Sequence, residues 1–330
     1  MVLTLATAVK ELLENSIDAG ATAVDIRLVE HGSALVEVPA GITSGFFNSS
    51  KVTDNGSGVG ESNMAGLTLK HHTSKLREFT DLASVQTFGF RGEALSSLCA
   101  LAKVAITTRH AASSPTGTCL SYDHNGAEVE RSSIARGPGT TVALHNLFST
   151  MPVRHREFLR NIKKEFSKLV SVVSGYALVS EGVRITCSNQ VGKGKRTTVV
   201  ATQGRSVKDN LVAVFGAKQA ATLMPFRQAE GEVGDVGKVE GWVSSPRHGE
   251  GRGAPDRQFY FFNNRPCDPA RLSKAVNQVQ SSFFTACLLQ IPQASVPLCI
   301  FYVNTERQRV NVNPTPEKQQ VNILSLFWQI

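Results

Sequence analysis

Paired cysteines, long apolar runs and tryptophan are scarce in this sequence. Its six cysteines (Cys99, Cys119, Cys187, Cys267, Cys287, Cys299) stand far apart, with no Cys-x-x-Cys among them. That spacing argues against a zinc site or a disulfide framework and fits a reducing compartment, cytoplasm or nucleus. No apolar run approaches the roughly 20 residues of a membrane helix, because Lys103 and Arg109 interrupt the most apolar stretch. Met1 to Glu14 has no basic leader and carries Lys10 and Glu11 inside a helical pattern, so it does not read as a secretory signal. Long internal repeats and low-complexity tracts are also missing. What is present is a folded composition, 41% hydrophobic and 19% charged over 330 residues, which excludes a disordered chain. At about 100–200 residues per domain the length predicts two domains. The net charge of +8 favours a polyanionic partner without requiring one.

The spacing of Leu5, Val9, Leu12, Leu13 and Ile17 predicts an amphipathic helix over 3–19, capped at Gly20. Ala23–Glu30 and Ser33–Val38 read as two strands of a hairpin around His31-Gly32. Pro39–Lys51, rich in Gly, Ser and Asn, reads as a loop. A helix is expected over Glu93–Ala102, then strands near Val104–Thr108, Thr118–Asp123 and Thr140–Leu147. A long helix follows over Arg156–Ser174, and a strand over Val183–Ser188. This mixture is α+β rather than a Rossmann alternation. The basic, Gly- and Thr-rich stretch Gly192–Arg205 reads as a border. Beyond it, Asn210–Phe215, Val239–Ser244, Gln258–Asn263 and Cys299–Val303 suggest strands. Pro269–Phe284 supplies a crossover helix, and Glu230–Lys238 an acidic loop.

Three segments carry chemistry. On the first helix Glu11, Asn15 and Asp18 lie at i, i+4 and i+7 and share a polar face. Such a face is either solvated or holds a water and a magnesium ion, since a hard cation takes oxygen ligands. Asp54-Asn55-Gly56-Ser57-Gly58 is either an ordinary turn or a place where backbone approaches a ligand closely and a carboxylate accepts from an amino group. Phe88-Gly89-Phe90-Arg91-Gly92-Glu93-Ala94-Leu95 is a glycine-hinged loop entering a helix, where amides and a positive charge suit phosphate oxygens.

Taken together, in this order, the three segments resemble the nucleotide-binding motifs of the GHKL ATPases. The run Gly89–Leu95 (Gly-Phe-Arg-Gly-Glu-Ala-Leu) resembles the MutL signature most closely. The strings Leu67–Lys75, Ser96–Leu101 and Leu147–His155 are similar to those of the eukaryotic postmeiotic-segregation (PMS) branch of MutL. The resemblance runs from about Thr4 to Val321. It implies a Bergerat-type α/β sandwich over residues 1–205 and a ribosomal-protein-like, transducer-like β-α domain over 206–330.

The resemblance also implies roles. Glu11 would be the general base and Asn15 the magnesium ligand. Asp54 would accept the adenine amino group, with Gly56 and Gly58 lining the base pocket. Thr73, Ser74 and Lys75 would belong to a lid. Gly89, Phe90, Arg91, Gly92, Glu93, Ala94 and Leu95 would wrap the phosphates, and Thr140-Thr141 would form a threonine strand beside the adenine, with Thr141 touching the nucleotide. Lys318 would reach the γ-phosphate from the second domain. The cofactors implied are ATP and Mg2+. The partners implied are a second MutL-homolog subunit, double-stranded DNA and a MutS-type mismatch recognition complex, in the nucleus and without a membrane. Arg160, Lys163, Lys164 and Lys168 form a basic helix face that is either solvated or a non-specific contact for DNA phosphates. Three departures from relatives stand out: the apolar stretch Asn322–Ile330 after Lys318 does not resemble the continuing helix of relatives, and two others bear on function. The chain starts at about the first ATPase helix, and 39–51 is inserted before Asp-Asn-Gly. They leave an ATPase-impaired DNA-binding scaffold as the alternative function. Nothing matches the acidic, histidine-containing endonuclease motif of longer relatives.

Overall fold

Thr4 starts the first helix. In the computed structural model its side chain accepts the amide of Thr7, and α1 runs over Leu5–Asp18. Leu5, Ala8, Val9, Leu12, Leu13 and Ser16 are buried, and Gly20, at φ +72°, turns the chain out of the helix. The structure describes residues 4–33, 50–69, 87–89, 92–112, 115–228, 237–245, 256–287, 297–304, 310–311 and 322–323. The chain divides into two units, Met1–Ala177 with Glu181–Asn210, and Leu178–Ser180 with Leu211–Ile330.

The first unit is built on an eight-stranded sheet. Its strands are β1 (Ala23–Val29), β2 (Ser50–Asp54), β3 (Lys103–Arg109), β4 (Thr116–Tyr122), β5 (Glu128–Ala135), β6 (Gly139–His145), β7 (Arg184–Gln190) and β8 (Thr197–Ala201). They lie in the order β5-β4-β3-β6-β2-β1-β7-β8. Only β1 and β7 run parallel among these pairs, with Ile26 opposite Cys187. The register places Ile26, Val52, Val142 and Ile106 in one row across the sheet, all of them buried. Leu5, Val9 and Leu12 of α1 face this row across a small cavity that Leu28 and Leu144 also line. The short α2 (Glu61–Met64) follows β2. Next come α3 (Ala94–Leu101), α4 (Pro152–Arg160) and α5 (Ile162–Val179). The contact of α1 with α3, and the hydrogen bond from Tyr176 on α5 to Glu14 on α1, put these helices in one layer on the apolar face.

The second unit opens with α6 (Val207–Phe215), which begins in the first unit, and α7 (Ala217–Ala220). Its sheet contains β9 (Leu223–Gln228), β10 (Lys238–Ser244), β11 (Gln258–Phe262), β12 (Arg265–Cys267) and β13 (Cys299–Asn304), in the order β12-β11-β13-β10-β9. Between the parallel strands β11 and β13 lies α8 (Ala270–Cys287), as a parallel pair requires. Phe262 and Val303 form the core there, with Val239, Cys267 and Leu272 packed against them. A two-residue ladder joins β14 (Val310–Asn311) to β15 (Asn322–Ile323).

Several sequence expectations change. The predicted hairpin at His31-Gly32 is instead a one-turn 3-10 helix, Glu30–Gly32, with His31 at φ +59°. Ser33 lies in a turn, and 34–38 fall outside the described residues. Ser50 and Lys51, expected in a loop, begin β2, because Lys51 pairs with Arg27. The helix predicted over Arg156–Ser174 is two helices, since Asn161 leaves the helical conformation (φ −103°, ψ 15°) between them. Asn210–Phe215, expected as a strand, lies within α6. Its burial follows a helix, with Asn210 and Leu211 buried, Val212 and Ala213 exposed, and Val214 and Phe215 half-buried. The strands β5 and β8 escaped the sequence reading. All eight residues of β5 are exposed, so this edge strand has no alternating apolar pattern to find.

Candidate nucleotide site

Two polar turns meet at the C-terminal end of α1. Asp54 closes β2 on the helix-bearing face, because Ser50, Val52 and Asp54 alternate inward. Its Oδ2 accepts from Ser16 Oγ at 3.0 Å. Its Oδ1 accepts the amides of Gly56 at 3.0 Å and Thr140 at 3.1 Å. An ionised carboxylate offers about four acceptor positions, so three protein donors leave room for one more. Asn55 fastens the turn to the chain after α1: its Oδ1 accepts the amides of Thr22 at 2.9 Å and Ala23 at 2.8 Å. Gly56 packs beside Ala19, where an added Cβ would stand 2.8 Å from the carbonyl oxygen. Gly58, at φ +70°, lies so close to Arg109 that a Cβ would stand 1.9 Å from its carbonyl oxygen. Only glycine meets both demands.

The second polar group on α1 reaches the glycine-hinged loop. Asp18 Oδ1 accepts the amide of Phe88 at 2.8 Å, and Oδ2 that of Gly89 at 2.9 Å. The Phe88 ring meets Tyr176 edge-on, with centroids 5.7 Å apart. Gly92 turns the chain at φ +62°. Glu93 then precedes α3 without a side-chain cap on its first-turn amides, and Ala94 and Leu95 form that first turn. Those amides are suited to an anion.

One turn before Asp18 and Asn15, α1 carries a buried ionic cluster. Lys10 Nζ lies 3.4 Å from Glu11 Oε1 and 3.3 Å from Glu14 Oε1. Lys10 and Glu14 are almost fully buried, and the Glu11 side chain keeps 16% exposure. Thus Glu11 keeps access to solvent while a fixed ammonium sits beside it. Among the described residues, no cluster of three or more His, Cys, Asp or Glu is placed to hold a metal.

Of the residues singled out in the sequence, Glu11, Asn15, Asp54, Gly56 and Gly58 belong to α1 and the turn held against its end. Gly89 is joined to them by Asp18. Thr141 is not on their side: it pairs with Thr53 on the opposite face of the sheet, where its Oγ1 donates to Thr53 Oγ1 at 3.2 Å. Strand alternation gives that place to Thr140 instead, which donates its amide to Asp54 and meets Thr108 Oγ1 at 3.1 Å. Thr73, Ser74, Lys75, Phe90, Arg91 and Lys318 lie outside the described residues. Arg160 ends α4, while Lys163, Lys164 and Lys168 are exposed on α5. Lys168 is paired with Glu165 at 2.8 Å. Spacing along the sequence places Asp18 on the polar face without giving it a partner, and it gives Ser16 and Lys10 no part in the site. Ser16 carried a legible signal, a hydroxyl in register with Leu5, Val9 and Leu12 on the buried stripe. Lys10 was hidden, because Tyr176, which holds its partner Glu14, is far away in sequence.

Known proteins resemble this chain in both of its units. Residues 3–142 match the family described as histidine kinase-, DNA gyrase B- and HSP90-like ATPase, and residues 211–326 match the C-terminal domain family of DNA mismatch repair proteins. A crystal structure of the N-terminal domain of a DNA repair protein is 32% identical, with a TM-score of 0.81 over 98% of this chain and 89% of that one. The chain belongs to the MutL/PMS family of mismatch repair proteins and carries its N-terminal GHKL ATPase region. This MutL homolog is 45% identical to human mismatch repair endonuclease PMS2 over 97% of its own length, but spans only 36% of that protein. The ADP complex of the Aquifex aeolicus MutL ATPase domain shares its fold, with a TM-score of 0.60 at 21% identity.

Proposed function

We propose that this chain binds ATP with magnesium and hydrolyses it slowly, as the N-terminal part of a mismatch repair subunit that acts as an ATP-gated clamp on DNA. The observation that carries the reading is the Asp54 carboxylate, held by Ser16, Gly56 and Thr140 with acceptor capacity to spare. That capacity suits the amino group of adenine. Glu11, partly exposed and beside Lys10, would take the proton of the attacking water. Asn15, one turn on, offers a hard amide oxygen suited to magnesium, and a bound magnesium ion would neutralise phosphate charge. The loop from Gly89 to Leu95, held by Asp18 at its entry, would wrap the phosphates. Residues 1–205 would form the ATPase domain and 206–330 the second domain, with Lys318 reaching the γ-phosphate. Thr73, Ser74 and Lys75 would close over the nucleotide.

The partners in this reading are a second MutL-homolog subunit, duplex DNA and a MutS-type complex, in the nucleus. Arg160, Lys163, Lys164 and Lys168 would contact DNA phosphates. The test is magnesium-dependent ATP turnover of the 330-residue chain beside Glu11→Ala, with binding of a non-hydrolysable analogue measured in parallel. Turnover should fall to background in the variant while the analogue still binds. Equal turnover removes Glu11 from its role, and no binding by either protein favours the ATPase-impaired scaffold.

A further inference from the structure

The large sheet of the first unit has two faces of opposite character. One packs against α1, α3 and α5. Strand alternation sends Asp25, Arg27, Lys51, Thr53, Thr141 and Thr107 to the other, as the cross-strand register requires. The five central strands β3, β6, β2, β1 and β7 contain no phenylalanine, tyrosine or tryptophan. Their second face is instead made of threonines, small residues and cations, with Asp25 and His145 among them.

The cations are close enough to act on one another. The Lys51 ammonium is held below the usual lysine range by burial first, then by Arg27 and Arg196, with Asp25 opposing. Arg196 is pinned at the strand edge, donating to Gln190 Oε1 at 3.0 Å. Further along, the stem of Arg136 lies flat over Gly117, where a Cβ would stand 2.8 Å from Arg136 Cγ. Its guanidinium bonds to the Thr107 carbonyl and reaches Thr141 Oγ1 at 3.4 Å. Lys103, on the row of His145, and Arg184, on the row of Ala23, extend the set, and both are exposed. Among the described residues of these strands, the opposing carboxylates are Asp25, paired with Arg27, and Glu130 on the edge strand β5, opposite Ser121. Folding therefore gathers much of the chain's positive balance on one plane.

We propose that this outer face of the eight-stranded sheet is a second contact surface for double-stranded DNA, apart from the basic face of α4 and α5. The proposal rests on the DNA-contact part of the reading above and adds a site to it. Four strand intervals of about 4.8 Å span about 19 Å, comparable with the breadth of a duplex. A duplex carries one negative charge per about 1.7 Å of axis, so cations spread over that width meet phosphates on both strands. Hydroxyls between them add neutral donors of the kind that fix phosphate contacts. Binders of single strands stack bases on aromatic side chains, and these strands supply none. Contact through phosphates alone is independent of sequence.

The experiment uses the whole chain and a triple variant, Arg27→Gln, Lys103→Glu and Arg184→Glu, all at exposed positions outside the nucleotide site. A fluorescent 30-base-pair duplex and a single strand of equal length are titrated over a series of salt concentrations, beside the variant Lys163→Glu, Lys164→Glu. The triple variant should keep its melting temperature and ATP turnover and lose at least tenfold in duplex affinity at low salt. The slope of log K against log salt should fall by about 1 for each phosphate that the protein no longer neutralises. Wild-type affinity and slope in the triple variant overturn the proposal alone. Failure of the wild-type chain to bind any duplex overturns it together with the DNA part of the proposed function. Tighter wild-type binding of the single strand overturns the choice of duplex.

Discussion

Asp18 Oδ2 accepts the amide of Gly89 at 2.9 Å, tying the helix that carries Glu11 to the loop that would hold phosphate. The other oxygen of the same carboxylate takes the preceding amide, that of Phe88. Asp18→Asn keeps the shape but turns one acceptor into an NH2 facing an N–H. The loop entry should shift, and small displacements of positioning groups cost as much as about 10²-fold in rate. We expect kcat for ATP to fall at least tenfold with the melting temperature little changed. An unchanged kcat removes Asp18 as a positioning residue.

Lys10 is a buried cation between two carboxylates. Lys10→Met leaves Glu14 buried with the Tyr176 hydroxyl but without the Lys10 ammonium. Breaking a buried pair from one side costs about 3–5 kcal/mol. Urea unfolding should register a loss of that size, and the double variant with Glu14→Leu should recover much of it. A loss below about 1 kcal/mol would mean that the pair is solvated in solution.

Gly58→Ala should destabilise the turn after Asp54. The left-handed backbone alone costs a non-glycine residue about 1–2 kcal/mol, and the Cβ meets the Arg109 carbonyl. Calorimetry should record a lower melting temperature, and binding of an ATP analogue should weaken in parallel. A variant as stable as the parent contradicts the close approach.

Burial pushes the thiols of Cys99 and Cys299 up to about 11 and that of Cys187 to about 12, from 9.0. The folded chain therefore binds these protons more tightly than the unfolded chain does. Their contribution to stability is complete below pH 9 and is lost as pH rises through about 11 to 12. Unfolding free energy measured from pH 8 to 11 should decline, and replacing Cys187 with alanine should flatten part of that decline. At neutral pH a thiol reagent should modify Cys119 and Cys267, which are partly exposed, before the three buried thiols.

By itself the sequence determined the first helix, its polar face, the glycine turn after Asp54 and the family. These are local: spacing along one helix, or turn residues whose backbone needs are met by near neighbours. It also pointed to one crossover helix in the second unit, where α8 lies between β11 and β13. Tertiary structure alone decided which threonine stands beside Asp54, because a register between β2 and β6 selects the face. It alone set Lys10 in a buried cluster whose carboxylate is held by a tyrosine on another helix. It alone collected Arg27, Lys51, Arg136 and Arg196 on one face of the sheet: they lie far apart along the chain, and only the pairing of strands brings the charges of Arg27, Lys51 and Arg196 within reach of one another.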